Sequence, residues 1–277
     1  MNVAVITGAA SGIGLALTQI HLQRSNFVVM VDKNNVKLKN EATRLSTLFP
    51  EKILEVACDI THPNEVAHLA QQAQSKWGRI DWIYNNAGII GPLAPIWDLC
   101  PEHIQKVMDV NLHGMIYMIQ AFTPFLFEQT FNSHIINIAS LYALCTGSQT
   151  VSYSMSKHAV LALSESLYFD LERMKKPVNI SVAFPSFTDT ALLSHSEHTH
   201  SQFQEILKSL LSHSRPAMDI AEHIVREVEQ KKFYIFPDKE VKGYCEERTK
   251  AMILQDPPYV TNIEKLMGAL MKRQSQA

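Results

Sequence analysis

Residues 3–14 read VAVITGAASGIG: a short apolar run from Val3 to Ile6, then a turn with glycines at 8, 12 and 14. The helical stretch LALTQIHLQR follows at once. Strand, glycine turn and helix in this order suit one task. Glycine lets the backbone approach a pyrophosphate closely, and the helix N-terminus offers it free N–H groups and partial positive charge. The plainer reading is a glycine-rich turn that only joins a strand to a helix. Its place after the first strand of an alternating chain weighs against that.

The alternation runs outward from this stretch. Short β-branched runs VAVI (3–6), FVVMV (27–31), ILEVA (53–57), DWIY (81–84), HIINI (134–138), NISVAF (179–184) and FYIF (233–236) are separated by longer segments of helical period. This predicts an α/β fold with a doubly wound parallel sheet of about seven strands and helices on both faces. Strands apolar nearly throughout are what helices on both faces require. No internal repeat, low-complexity tract or linker-like shift of composition interrupts it, so one domain is expected over residues 1–277. Two segments depart from the rhythm. Residues 186–217 form a Ser/His-rich insertion after the sixth strand, on the side where such sheets bind ligands, and read as a lid. The tail, 258–277, contains TNIEKLMGALMKR, where Thr261 and Glu264 make a capping-box pattern and Leu266, Met267, Leu270 and Met271 one apolar face.

Composition narrows the partners. With 46% hydrophobic and 19% charged residues, the 277-residue chain can bury a large core. Lys+Arg 25 against Asp+Glu 27, without a block of like charge, points to neither nucleic acid nor an anionic membrane, and leaves a small molecule. Cys58, Cys100, Cys145 and Cys245 lie far apart with no C-x-x-C, which suits a reducing cytosol. An apolar strand starts right behind the initiator Met, leaving no room for a signal peptide ahead of it, and MIYMIQAFTPFLF (115–127) is too short to span a bilayer. A soluble cytoplasmic protein is expected. His195, His198, His200 and His213 in the lid have no acidic or Cys ligand at a recognised spacing, so no metal is expected.

The second strand ends in Asp32, where a carboxylate would accept hydrogen bonds from an adenosine ribose and repel a 2′-phosphate, favouring NAD over NADP. Lys33 follows and would partly offset that repulsion; Asp32 could also simply be a polar residue ending a strand. Asp59, after the third strand, is placed to reach an adenine or to begin the next helix as its cap. YSMSK (153–157) sets Tyr153 and Lys157 one helical turn apart, an ordinary surface pair if it stood alone.

It does not stand alone. TGAASGIG, NNAG (85–88), Asn111 in VNLHG, Ser140 in NIASLYA and the Tyr153/Lys157 pair together resemble the short-chain dehydrogenase/reductase family in its compact form, closely over residues 3 to about 190. The resemblance implies a single Rossmann-fold domain binding NAD(P). Its cofactor contacts carry over to Gly8, Ser11, Gly12, Ile13, Gly14, Asp32, Asp59, Ile60, Asn86, Tyr153, Lys157 and, near the carboxamide, Thr188 with Thr190. It implies Tyr153 as acid/base, Lys157 on the nicotinamide ribose, Ser140 on the substrate oxygen, and Asn111 holding a water that links Lys157 to solvent. The chemistry fits these residue types. A phenol with a pKa of about 10 is a poor base, and an ammonium about 4 Å away supplies roughly 4 kcal/mol at an effective dielectric of about 20, lowering that pKa by roughly 3. Tyr142, the rival base, has Thr146 at the position where Tyr153 has its lysine, and reads as pocket lining. One position departs from the family: its Pro-Gly after the sixth strand is Pro185-Ser186 here, and Ser resists positive φ.

A hydride-transferring oxidoreductase acting on a secondary alcohol or ketone is therefore expected. The pocket would be largely apolar, lined by Ile90, Pro92, Leu141, Tyr142, Leu144, Leu192 and Leu193, for a hydrophobic carbonyl or alcohol substrate. The alternative is a catalytically silent dinucleotide-binding regulator, which would have no reason to hold a base and its cation. An epimerase or dehydratase would bring a different glycine spacing and a longer C-terminal domain. Residues 103–129 are apolar on nearly every side, and the helix from Ser152 to about Met174 adds Val160, Leu163, Leu167 and Phe169. In the resembling family these helices pair between subunits, so a homodimer or homotetramer is expected, with an intramolecular cover by the lid or tail as the rival.

Overall fold

The computed structural model describes residues 1–186, 188, 214–262, 264 and 265. The expected lid thus lies mostly outside the described residues, with Thr190, Leu192, Leu193 and the four lid histidines, as does the tail beyond Lys265. Parallel strands β1 (Val3–Thr7), β2 (Phe27–Asp32), β3 (Ile53–Ala57), β4 (Trp82–Asn85), β5 (Ser133–Ile138), β6 (Val178–Ala183) and β7 (Tyr234–Ile235) form a 7-stranded sheet in the order β3-β2-β1-β4-β5-β6-β7. The doubly wound, Rossmann-like fold read from the strand pattern is the one observed. Helices α1 (Gly12–Gln23), α2 (Asn35–Leu48), α3 (Pro63–Trp77), α4 (Pro101–Met108), α5 (Gly114–Glu128), α6 (Val151–Met174), α7 (Ala217–Glu229) and α8 (Lys239–Leu254) surround it.

Side-chain alternation along the strands feeds two apolar layers. Ala4, Ile6, Val28 and Met30 pack with Leu17 and Ile20 of α1, Leu38 and Leu45 of α2, and Ile220 and Ile224 of α7. Val3, Val5, Val29 and Val31 face the other way, onto Val66 and Leu69 of α3 and Met118, Phe122 and Leu126 of α5. Strand order reverses between β1 and β4, so the crevice at their carboxyl ends is where such sheets take their ligands.

Two elements differ from expectation. The apolar stretch over 103–129 is not one regular helix: α4 passes through a π turn, Asp109–His113, before α5 begins. A π turn inserts a residue into the helical register and often marks a functional position; here it carries Asn111. Helix α8 was not anticipated, because its only fully buried side chain among KEVKGYCEERTKAMIL is Val241, which leaves almost no apolar period to read.

The glycine turn is the tightest junction in the fold. Gly8 takes φ +67, and a Cβ on Gly14 would stand 2.2 Å from the Gly8 carbonyl oxygen and 2.6 Å from Asn86 Nδ2. Backbone meets backbone there, so no rotamer can relieve the contact. Gly14→Ala is expected to destabilise the protein by about 1–3 kcal/mol, read as a lower urea midpoint with an unchanged m-value. An unshifted midpoint would contradict this packing.

Candidate active site

The carboxyl ends of β1, β2, β4 and β5 bring the predicted residues to one edge of the sheet. At the end of β1, Thr7 Oγ1 donates to the Tyr84 carbonyl (3.2 Å) and accepts from the backbone amides of Asn86 (2.9 Å) and Ala87 (3.0 Å). Asn86 Nδ2 returns a bond to the Thr7 carbonyl at 2.9 Å. Thr7 therefore locks the NNAG segment against the glycine turn, a role the sequence reading missed. Ser11 is the exposed N-cap of α1 and makes no side-chain cap bond. The helical bonding begins with Leu15 N to Ser11 O at 3.1 Å, so the amides of Gly12, Ile13 and Gly14 precede it and remain available to a ligand. The turn is a cradle shaped for backbone approach to an anionic group.

Asp32 closes one side of that cradle. Its Oδ2 accepts from the Ala10 amide (3.2 Å) and its Oδ1 from the Asn34 amide (2.9 Å), leaving lone pairs on both oxygens. Asp59 is not a helix cap: α3 starts at Pro63 with His62 as N-cap. Asp59 Oδ1 instead accepts from the amide (3.0 Å) and hydroxyl (2.8 Å) of Thr61. Partial burial pushes its pKa up, but those bonds and the neighbouring Lys33 more than reverse this and hold it below the usual carboxylate value. Ile60 is buried against Gly114, where an added Cβ would come within 2.7 Å of its side chain. A cavity of about 540 Å³ lies at this end of the edge, lined by Lys33, Asp59, Thr61, Gln105, Lys106 and Val110 among others. Tyr153, Ser140 and Lys157 do not line it, so it belongs with the Asp59 side of the crevice.

Tyr153 and Lys157 sit in the first turns of α6, both buried, with Ser140 and Asn111 buried beside them. Lys157 Nζ donates to the Ile138 carbonyl at 2.9 Å and lies 5.6 Å from the centre of the Tyr153 ring. Asn111 Oδ1 accepts from Ile89 N (2.8 Å), while its Nδ2 donates to Ile89 O (2.9 Å) and Ser156 Oγ (2.9 Å). Ser156 Oγ in turn donates to the Tyr153 carbonyl at 2.7 Å. A Cβ built on Gly88 would stand 3.2 Å from Asn111 Oδ1 and 3.6 Å from Lys157 Nζ, so the two side chains converge on the NNAG glycine. Ser156 is a second residue missed in the sequence; its only signal is a small residue one turn beyond Tyr153.

In the free protein, burial works against the expected lowering of the Tyr153 phenol. Burial pushes the Tyr153 phenol up to about 12, and a hydrogen bond with Ser140 brings it only partly back. Burial also holds the Lys157 ammonium down, at about 8. Desolvation is the largest influence on both groups. Tyr142 stands edge-on to Tyr153, ring centres 5.9 Å apart, and burial raises its phenol as well.

Elsewhere the match is looser. Ser186 is not among the described residues with positive φ. Its amide donates to Asp238 Oδ2 (2.9 Å) and its hydroxyl to Glu240 Oε1 (2.8 Å), so acidic groups at the start of α8 hold the segment that the family shapes with glycine. Thr188 is buried, bridges to Arg215 through its backbone, and donates its hydroxyl to Ser186 O at 3.2 Å. Of the expected pocket lining, Leu141 and Leu144 are buried in a core cluster with Val160 and Phe184, whereas Ile90, Pro92 and Tyr142 remain half-buried. The Thr261–Glu264 pattern forms half of its box: Glu264 N donates to Thr261 Oγ1 at 3.2 Å, but the Glu264 carboxylate turns to Ser148. Among the described residues, no group of three or more His, Cys, Asp or Glu is placed to hold a metal, and no helix is long and apolar enough to cross a membrane.

Comparison with known proteins finds relatives in both sequence and fold. The short chain dehydrogenase family profile matches residues 2–201. A CLA biosynthesis dehydrogenase/reductase of Lactiplantibacillus plantarum is 28% identical across 96% of this chain and 98% of its own. The 1-deoxy-11-beta-hydroxypentalenate dehydrogenase of Streptomyces exfoliatus is 38% identical across 69% of this chain and 68% of its own. Among solved structures, a short chain dehydrogenase/reductase from Burkholderia phymatum in complex with NAD superposes with a TM-score of 0.88 at 26% identity, covering 93% of this chain and 96% of that one. A short-chain dehydrogenase from Sphingobium yanoikuyae in complex with NADPH shares the fold, with a TM-score of 0.76 at 19% identity over 94% of this chain and 98% of that one.

Burying Lys157 has a consequence for stability. A lysine whose folded pKa, about 8, lies below its ordinary 10.5 destabilises the fold when protonated. The penalty is absent above pH 10.5, grows as pH falls toward 8, and is constant below that. Across that interval it amounts to roughly 3 kcal/mol. Lys157→Met is therefore expected to raise Tm at pH 7 by about 5 °C, with the gain shrinking toward pH 10. A lower Tm at pH 7, or a gain independent of pH, would contradict the assignment.

Proposed function

This chain belongs to the short-chain dehydrogenase family, and from that premise we propose that it oxidises a secondary alcohol, or reduces the matching ketone, with NAD as hydride carrier and Tyr153 as acid/base. The observation that carries the reading is the convergence of Lys157 and Asn111 on the NNAG segment beside the glycine cradle, with Tyr153 next to Lys157 and hydrogen-bonded to Ser140. Bound NAD supplies the acceptor for the hydride. Gly8, Ser11 and the amides of Gly12, Ile13 and Gly14 would hold its pyrophosphate, and Asp32 its adenosine ribose. Asp59, Ile60 and Asn86 would flank the rest of the adenosine, and Thr188 would approach the carboxamide.

In the oxidation, Ser140 hydrogen-bonds the substrate oxygen and fixes its direction. The carbinol hydrogen leaves with its electron pair, and the hydroxyl proton passes to Tyr153. With its phenol near 12 in the free protein, Tyr153 needs a lower pKa in the working complex, and positive charge close to the ring is the means. Lys157 contributes that charge while protonated. Asn111, tied to Ile89 and Ser156, holds the backbone through which a water would connect Lys157 to solvent. Asp32 supports NAD over NADP by repelling a 2′-phosphate, and the Burkholderia relative is described in complex with NAD. The substrate reading is a hydrophobic hydroxy or carbonyl compound; one relative is named for a hydroxypentalenate. A silent dinucleotide-binding regulator is the weaker reading, since a binder gains nothing from burying an ammonium that destabilises the fold.

The half-buried apolar face of Ile104, Met108, Leu112 and Ile116, with exposed Phe169 on α6, supports self-association as a dimer or tetramer. One domain and a cytoplasmic setting complete the reading; the four free cysteines fit the latter.

Tyr153→Phe keeps the ring and removes the proton acceptor. Turnover is expected to fall by at least about 100-fold, while fluorescence titration still shows NADH binding more tightly than NADPH. Retention of more than about a tenth of the wild-type rate would move the base to another residue, Tyr142 first.

A further inference from the structure

Helix α6 carries Tyr153 and Lys157 in its opening turns, yet its own sequence does little to stabilise its N-terminus. Its first turn contains no acidic residue, and its N-cap, Thr150, makes no side-chain cap bond. Thr150 Oγ1 is engaged with Gly147 O (2.9 Å) and Ser154 Oγ (3.0 Å) instead. A helix N-terminus concentrates unpaired amides and partial positive charge, and a nearby carboxylate is the usual complement.

That carboxylate arrives from the far end of the chain. Glu264 Oε2 accepts from the Ser148 amide (2.9 Å) and the Ser148 hydroxyl (3.1 Å), just ahead of Thr150. Glu264 is itself anchored. Its amide donates to Thr261 Oγ1 (3.2 Å), Thr261 is buried, and Lys265 N donates to Thr261 O (3.0 Å). The same carboxylate borders the active site: a Cβ on Gly147 would stand 3.4 Å from Glu264 Oε2 and 3.4 Å from Tyr142 Cε1. Tyr142 in turn stands edge-on to Tyr153. Glu264 also acts on Tyr142 through its charge, adding to the rise of that phenol behind burial and its nearer neighbours.

We propose that Glu264 is a positioning residue for the catalytic helix: by holding Ser148, the C-terminal segment fixes the 145–150 loop and the Tyr142 ring against Tyr153, and so forms one wall of the substrate site. The latch stands on its own geometry; its effect on catalysis rests on the oxidoreductase reading above. Glu264→Gln retains an acceptor oxygen and loses the charge, whereas Glu264→Ala loses both.

Two measurements on the full-length chain test it. Amide hydrogen exchange at Ser148 is expected to quicken by about tenfold or more in Glu264→Ala and to stay near wild type in Glu264→Gln. KM for the best alcohol substrate is expected to rise about fivefold or more in Glu264→Ala, with partial rescue in Glu264→Gln and the dissociation constant for NADH within about twofold of wild type. Equal exchange in all three proteins overturns the latch. Faster exchange with an unchanged KM, or with NADH affinity falling in parallel, overturns the positioning role. If the wild type turns over no substrate, the oxidoreductase reading fails and the kinetic effect with it, while exchange at Ser148 still decides the latch.

Discussion

A single ammonium, that of Lys157, lies buried where β5 ends, donating to the Ile138 carbonyl. Placing a charge there opposes folding, so the surrounding structure has to hold α6 firmly against the sheet. It does so through neutral hydrogen bonds. Asn111 joins Ile89 to Ser156, Ser156 bonds back to the Tyr153 carbonyl, and Asn137 of β5 reaches Ser164 further along α6 at 2.9 Å. The π turn that presents Asn111 is part of the same device, because it turns this one amide inward where the regular register of α4 and α5 continues on either side. The burial that stabilises the fold thus works against ionisation at both Tyr153 and Lys157. Lowering the phenol takes positive charge beside the ring, and Lys157, 5.6 Å from its centre, is placed to contribute it while protonated.

The second half of the crevice is built on contact distance rather than charge. Gly14 and Gly8 pass so close to Asn86 that a methyl group has no room, and Thr7 seals the junction with its hydroxyl. The amides at the start of α1 therefore face the same edge as Tyr153. In a parallel sheet all strands end on one side, which is how residues as distant in sequence as Asp32, Asn111 and Lys157 share one crevice. Glu264 extends that logic to the C-terminal segment.

Strands were legible because a β-branched run buried on both faces has little else it can form; FVVMV and HIINI reappear as β2 and β5 with one residue added. Helix α8 was not, since a helix with one fully buried side chain leaves no period to read. The residues at the site were legible as types at a spacing, and the structure brings Ser140, Tyr153, Lys157 and Asn111 together. Their energetics were not. The direction in which Tyr153 shifts depends on how much water reaches the ring, which spacing does not encode. Thr7, Ser156 and the Ser148–Glu264 contact escaped notice for a related reason: each acts through a partner brought close by the fold, and a Ser or Thr in isolation carries no signal.

The central claim, that this site performs hydride transfer and not dinucleotide binding alone, is tested most directly by absorbance. The wild-type protein is mixed with NAD at alkaline pH and a panel of hydrophobic secondary alcohols, and NADH formation is followed. The account predicts steady NADH accumulation with at least one such alcohol, and reversal when the matching ketone and NADH are supplied. Tight NAD binding without turnover in either direction across the panel would contradict it.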